Sequence, residues 1–191
     1  MINKQEFKEI GKELKKFEAE REKLIQQSRE IITLSKQIIY SIHREDVKKA
    51  NSLSKVIKNK IKILPNKSYD MNMDSVAKQE YVEAIAFLEF SNNNKIPTRK
   101  ELKVDMEPYL SGLCDLTGEL VRKAVNSAIK KNGKEVIRIR DFIDDFYGEM
   151  LMFDFRNGEL RKKFDSIKWN LKKVEDIILE IKMNNGRFLN Q

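Results

Sequence analysis

Residues 21–44, REKLIQQSREIITLSKQIIYSIHR, place Leu24, Ile31, Leu34, Ile38 and Ile42 at helical spacing, a sustained apolar stripe on one face. The pattern extends back to Asn3, which with Glu6 reads as an N-cap and its capping-box partner, so one long helix is expected from there to about Ile42. A second helix is expected over Glu45 to Ile63, stopped by Pro65 and the polar NKSYD of 66–70. A third runs from Met73 to Ser91 and ends in SNNNKIP. Thr98 and Glu101 form another capping box that opens a short fourth helix. Helix five is expected from about Pro108 to Lys131, stopped by Asn132-Gly133. Helix six should cover Lys134 to Phe155, and helix seven Glu159 to about Met183, with Asn185-Gly186 as its stop. No segment alternates with period two for long enough to compete as a strand. The reading is all-α, a single domain over residues 1–191, built from long antiparallel helices.

Composition agrees. The 191 residues are 40% hydrophobic and 36% charged, with only 7 Gly and 3 Pro to interrupt helices. A chain of this length buries roughly 70% of the surface it exposes unfolded, so it needs no covalent staples. The single Cys114 excludes an internal disulfide and a multi-cysteine zinc site, and reads as a small core residue. The opening MINKQEFKEIGKELKK lacks the apolar run of a secretory signal, and no uncharged apolar run approaches a membrane span, so a cytoplasmic protein is expected. Net charge is +8, from 38 Lys plus Arg against 30 Asp plus Glu, which favours polyanions as ligands.

Against that basic background, two pairs of carboxylates stand out. In QEYVEAIAF (79–87), Glu80 and Glu83 share a helical face that also carries Met73, Val76, Ala77, Ala84 and Phe87. Carboxylates are costly to bury unpaired, and two on one face repel each other. In GLCDLTGEL (112–120), Asp115 and Glu119 are four apart, with Ser111, Arg122 and Asn126 beside them and Leu113, Leu116, Leu120 and Ala124 opposite. Gly112 and Gly118 flank this second pair and leave room for a ligand or another backbone. If helices three and five pack together, the four carboxylates form an oxygen-rich cluster suited to Mg²⁺ or Mn²⁺. The plainer alternatives are a solvated face on helix five, and pairing with Arg122 or a lysine for Glu80 and Glu83. A di-iron bundle site needs two Glu-x-x-His motifs and is excluded, because the one histidine, His43, lies far from both pairs in the chain. Cys-His and Ser-His nucleophilic catalysis are disfavoured by the same shortage.

Arg29, Lys36 and His43 recur every seven residues on helix one, with Thr33, Tyr40 and Arg44 on the same side. Cations interleaved with an aromatic suit the phosphates and stacked bases of single-stranded nucleic acid, although such a stripe is often only a solvated face. Arg122 and Lys123 are further phosphate candidates. No glycine-rich phosphate loop is present.

Segments 21–44, QEYVEAIAFLEF (79–90), GLCDLTGELVRKAVNS (112–127) and LRKKFDSIKWNLKKVEDIILEIK (160–182) resemble the translin superfamily in the same order along the chain. The resemblance implies a seven-helix fold assembling into a hollow homo-oligomer, an octamer, with nucleic acid inside. Its two branches are translin, a non-catalytic binder of single-stranded RNA and DNA, and translin-associated factor X (Trax), a Mg²⁺-dependent endoribonuclease. The acidic residues of the Trax branch fall on Glu80, Glu83, Asp115 and Glu119, so the chain resembles Trax. It departs in lacking the basic N-terminal extension of animal Trax proteins. The expectation is a metal-dependent endoribonuclease acting on single-stranded RNA. Those four residues would hold Mg²⁺ or Mn²⁺, and Arg29, Lys36, His43, Arg44, Arg122 and Lys123 would hold the phosphate backbone. Asp115 and Glu83 both remain open as the group accepting the water proton. A non-catalytic single-strand binder, of RNA or of DNA, is the alternative, and a helical scaffold is a third class.

Overall fold

The computed structural model describes residues 2–65 and 72–188, with the side chains of 184–188 left aside. Expectations for 66–70 therefore lie outside the described residues. Seven helices occur among those described: α1 (Lys4–His43), α2 (Val47–Ile63), α3 (Met73–Asn93), α4 (Arg99–Leu102), α5 (Met106–Ile129), α6 (Gly133–Leu151) and α7 (Glu159–Phe188). None of the described helices is long and apolar enough to cross a membrane.

The ends follow local chemistry. Asn3 caps α1 by accepting from the Gln5 and Glu6 amides, and Thr98 with Glu101 closes the expected capping box on α4. That box holds the Glu101 carboxyl down at about 2, chiefly through the Thr98 amide. Four boundaries differ from expectation. Glu45 adopts a left-handed turn conformation and Asp46 caps the Lys49 amide, so α2 starts at Val47. Asn132 does not stop α5, which ends at Ile129; its side chain accepts from the Glu135 amide and starts α6. α6 ends at Leu151 rather than Phe155, and the chain turns so that the Phe155 ring packs 5.4 Å from Phe164 of α7. At the far end, α7 runs through Asn185-Gly186 to Phe188.

Helices consecutive in sequence turn back on each other, as the pairs Glu30–Lys60, Lys123–Glu135 and Tyr147–Phe164 show. Alternate helices run in one direction and pack side by side: α1 on α3, α3 on α5, α5 on α7. α3 is the innermost, buried almost continuously from Tyr81 to Leu88. Gly112 lets α5 meet it at backbone range, since a Cβ there would lie 2.6 Å from the Gln79 carbonyl oxygen and 2.7 Å from Val82 Cβ. The second motif's glycine thus serves another backbone, whereas Gly118 faces only Asn170, at 3.9 Å. Ile31, Ile38, Phe87, Leu116, Leu120, Ile139, Ile143 and Ile167 fill the core, and Cys114 is buried with them.

One part of the chain has no core to join. Burial on α1 begins at Leu24, and the preceding residues project as an arm carrying exposed Phe7, Ile10 and Leu14.

Candidate functional site

The packing of α3 on α5 brings the two carboxylate pairs into one locality. Glu83 sits in the buried stretch of α3 at 9% exposure. Burial, then the charges of Asp115, Glu80 and Glu119, push its carboxyl up to about 8, with Lys163 opposing. No hydrogen bond acts on it among the described residues; the influences are burial and charge alone. Glu80, one turn earlier and half-buried, is also raised, first by burial. Lys36 and Lys163 pull Glu80 back, while Asp115 and Glu119 push it further up.

The α5 carboxylates have partners. Lys163 of α7 places Nζ 2.6 and 2.7 Å from the two oxygens of Asp115, and Gln79 Nε2 donates to Oδ2 at 2.6 Å. Glu119 accepts from His43 Nε2 at 2.5 Å. Among the described residues, no three His, Cys, Asp or Glu side chains are already gathered to hold a metal ion. The donor chemistry nevertheless fits a hard divalent cation: four carboxylates, one of them buried with no donor of its own.

His43 corrects the reading of the stripe. Its side chain is only 4% exposed, the ring tilted on Phe87 at 5.0 Å, and Glu119 draws it inward at the last turn of α1. It is a neighbour of the acidic cluster, not remote from it. Arg29, Lys36 and Arg44 remain exposed on α1. Arg44 lies 5.5 Å over the exposed Tyr40 ring and donates to its hydroxyl at 3.1 Å. On α5, Arg122 is exposed, while Lys123 turns toward Glu135 of α6 at 3.7 Å. Lys163 and Gln79 were not singled out by sequence reasoning. Cys114 offers no thiolate, since burial and the Asp115 charge hold its thiol up at about 12.

The site thus takes residues from α1, α3, α5 and α7, each with a counterpart on its neighbour. The translin family model matches residues 19–185, spanning all four of these helices. The chain belongs to the translin family. Within that family it is 33% identical over 172 residues to an uncharacterised protein of Methanocaldococcus jannaschii, covering 86% of this chain and 77% of that one. It is 24% identical to the translin-associated protein X homologue of Schizosaccharomyces pombe, covering 97% of this chain and 92% of the homologue. Translin of Gallus gallus is 35% identical over 78 residues, 41% of this chain and 34% of that protein. Among solved structures, apo-NeC3PO superposes with a TM-score of 0.85 at 30% identity, covering 94% of this chain and 97% of that one. A complex of AfC3PO with duplex RNA gives 0.82 at 26% identity, with the same coverage. The fold of this translin-family chain is therefore the fold of those C3PO structures.

Proposed function

We propose that this protein is a metal-dependent endoribonuclease that works as a homo-oligomer enclosing its RNA. The observation that carries the reading is Glu83, a buried carboxyl without a donor, set among Glu80, Asp115 and Glu119. A fold has little structural reason to keep that charge there. Glu80, Glu83, Asp115 and Glu119 would hold Mg²⁺ or Mn²⁺. Bound there, the ion would activate water and offset charge on the scissile phosphate. Glu83, held at about 8, keeps a proton near neutral pH and would have to release it to help hold a cation. Gln79 keeps Asp115 oriented through Oδ2, and the His43 ring, backed by Phe87, fixes the Glu119 carboxylate. Arg29, Lys36, Arg44 and Arg122 supply exposed positive charge for phosphates, with Tyr40 as a stacking surface.

RNA is the favoured ligand because a similar protein has been solved with duplex RNA. The preference for single strands is tested directly: end-labelled single-stranded and duplex RNA, each with Mg²⁺ and then with chelator. Metal-dependent cleavage of the single strand, abolished by Glu83→Ala and by Asp115→Ala, is expected. Cleavage unaffected by either substitution would place the activity elsewhere. The second reading, a binder of single-stranded RNA or DNA without turnover, draws on the partners already held by Asp115 and Glu119. Tight, salt-sensitive binding with no cleavage under any metal is its signature.

A further inference from the structure

Lys163 Nζ is almost equidistant from the two oxygens of Asp115, at 2.6 and 2.7 Å, which is where a cation held by both oxygens would sit. Its charge reaches further, since it also favours the ionised forms of Glu80 and Glu83. The side chain is about a quarter exposed, at 27%, so the ammonium has solvent to move into on a flexible four-carbon stem. Glu83, nine-tenths buried and without a donor, faces this same cluster.

We propose that Lys163 is the resident counter-ion of the acidic cluster, holding the cation position on Asp115 until a divalent ion displaces it, and then turning to an RNA phosphate. The proposal rests on reading the cluster as a metal site. A doubly charged ion outcompetes a single ammonium for four carboxylates, because attraction scales with the charge while the distances stay similar. The exchange keeps a cation on Asp115 in both states, so the repulsion among the carboxylates is lessened even when no metal is bound. It also places a donor beside the phosphate only when the metal is there to act on it.

The test uses the full-length protein with Mn²⁺ alone as probe. Electron paramagnetic resonance titration measures affinity, and a Mn²⁺-soaked crystal locates the ion and Lys163. The expected result is an ion on Asp115 with Nζ beyond the roughly 4 Å reach of an ion pair. Lys163→Arg should weaken Mn²⁺ binding about three- to tenfold, since a guanidinium grips a carboxylate with two parallel bonds and releases it less readily. Lys163→Met should bind Mn²⁺ at least as tightly as the parent and bind RNA more weakly in its presence. Mn²⁺ bound with Lys163 still on Asp115, or weaker Mn²⁺ binding by folded Lys163→Met, overturns this proposal and leaves the metal site standing. No Mn²⁺ uptake by the parent or by Lys163→Met overturns both. The parent crystal and titration decide the matter even where a variant fails to fold.

Discussion

At Glu83, burial and three neighbouring carboxylates act in one direction and hold its carboxyl at about 8, against an ordinary value of 4.5. Between those pH values the folded protein keeps a proton that the unfolded chain has released, so metal-free stability falls as pH rises through that window. Glu83→Gln removes the liability. Thermal or urea unfolding should find the variant close to the parent at pH 4.5 and more stable at pH 9, by on the order of 3 kcal/mol. A difference that does not grow with pH would mean Glu83 ionises freely in the fold. Gly112 gives a second measurement at this scale. Gly112→Ala drives a methyl group into the Gln79 carbonyl and Val82, and should cost about 1–3 kcal/mol. Gly118→Ala meets only Asn170 at 3.9 Å, and should be neutral or gain up to about 1 kcal/mol from helix propensity. Comparing the two melting curves isolates the contact between α3 and α5 from the general cost of glycine.

Helix boundaries show what a sequence carries and what it does not. The capping residues act locally: Thr98 and Glu101 close the full box their spacing predicts, while at α1 Asn3 caps the Gln5 and Glu6 amides without, among the described residues, the reciprocal bond from Glu6. Asn132-Gly133 carries two valid meanings, because Asn both ends helices and starts them. The choice fell to Glu135, whose amide the Asn132 side chain holds at 3.3 Å. Asn132→Ala should therefore cost about 1 kcal/mol and Asn132→Gly only a few tenths, the pattern of an N-cap, as read by chemical unfolding. The same distinction runs through the site. Glu80 and Glu83 were visible because they interrupt the apolar stripe of α3, and Asp115 and Glu119 because they lie four apart on one polar face, flanked by Gly112 and Gly118. His43 was read only as part of the α1 stripe and Lys163 not at all, since their carboxylate partners lie 76 and 48 residues away. Gln79 stood inside a quoted motif, yet its role depends on Asp115 in another helix. The fold was legible almost helix by helix, and the carboxylates with it. Their counter-charges belong to the packing, which no single segment encodes.

Across the whole molecule cations outnumber carboxylates, 38 to 30, and Arg29, Lys36, Arg44 and Arg122 stand exposed. RNA affinity should accordingly fall steeply with salt, with a lower slope after Lys36→Gln or Arg44→Gln, measured by fluorescence anisotropy. The projecting arm of α1 offers an exposed apolar face to the homo-oligomer proposed above. Helix α1 is 40 residues long, about 60 Å, and its first half leaves Phe7, Ile10 and Leu14 uncovered. Leu14→Glu is expected to lower the mass seen by light scattering while leaving helicity by circular dichroism intact. An unchanged mass would show that the assembly is held elsewhere. Finally, α1, α3, α5 and α7 are laid side by side in the order in which they are synthesised. The ribosome therefore makes His43 first, then Gln79 and the four acidic residues, and Lys163 last of the site's members. A nascent chain carries these carboxylates before α7 supplies the Lys163 that pairs with Asp115, so the site is completed only once α7 has been made.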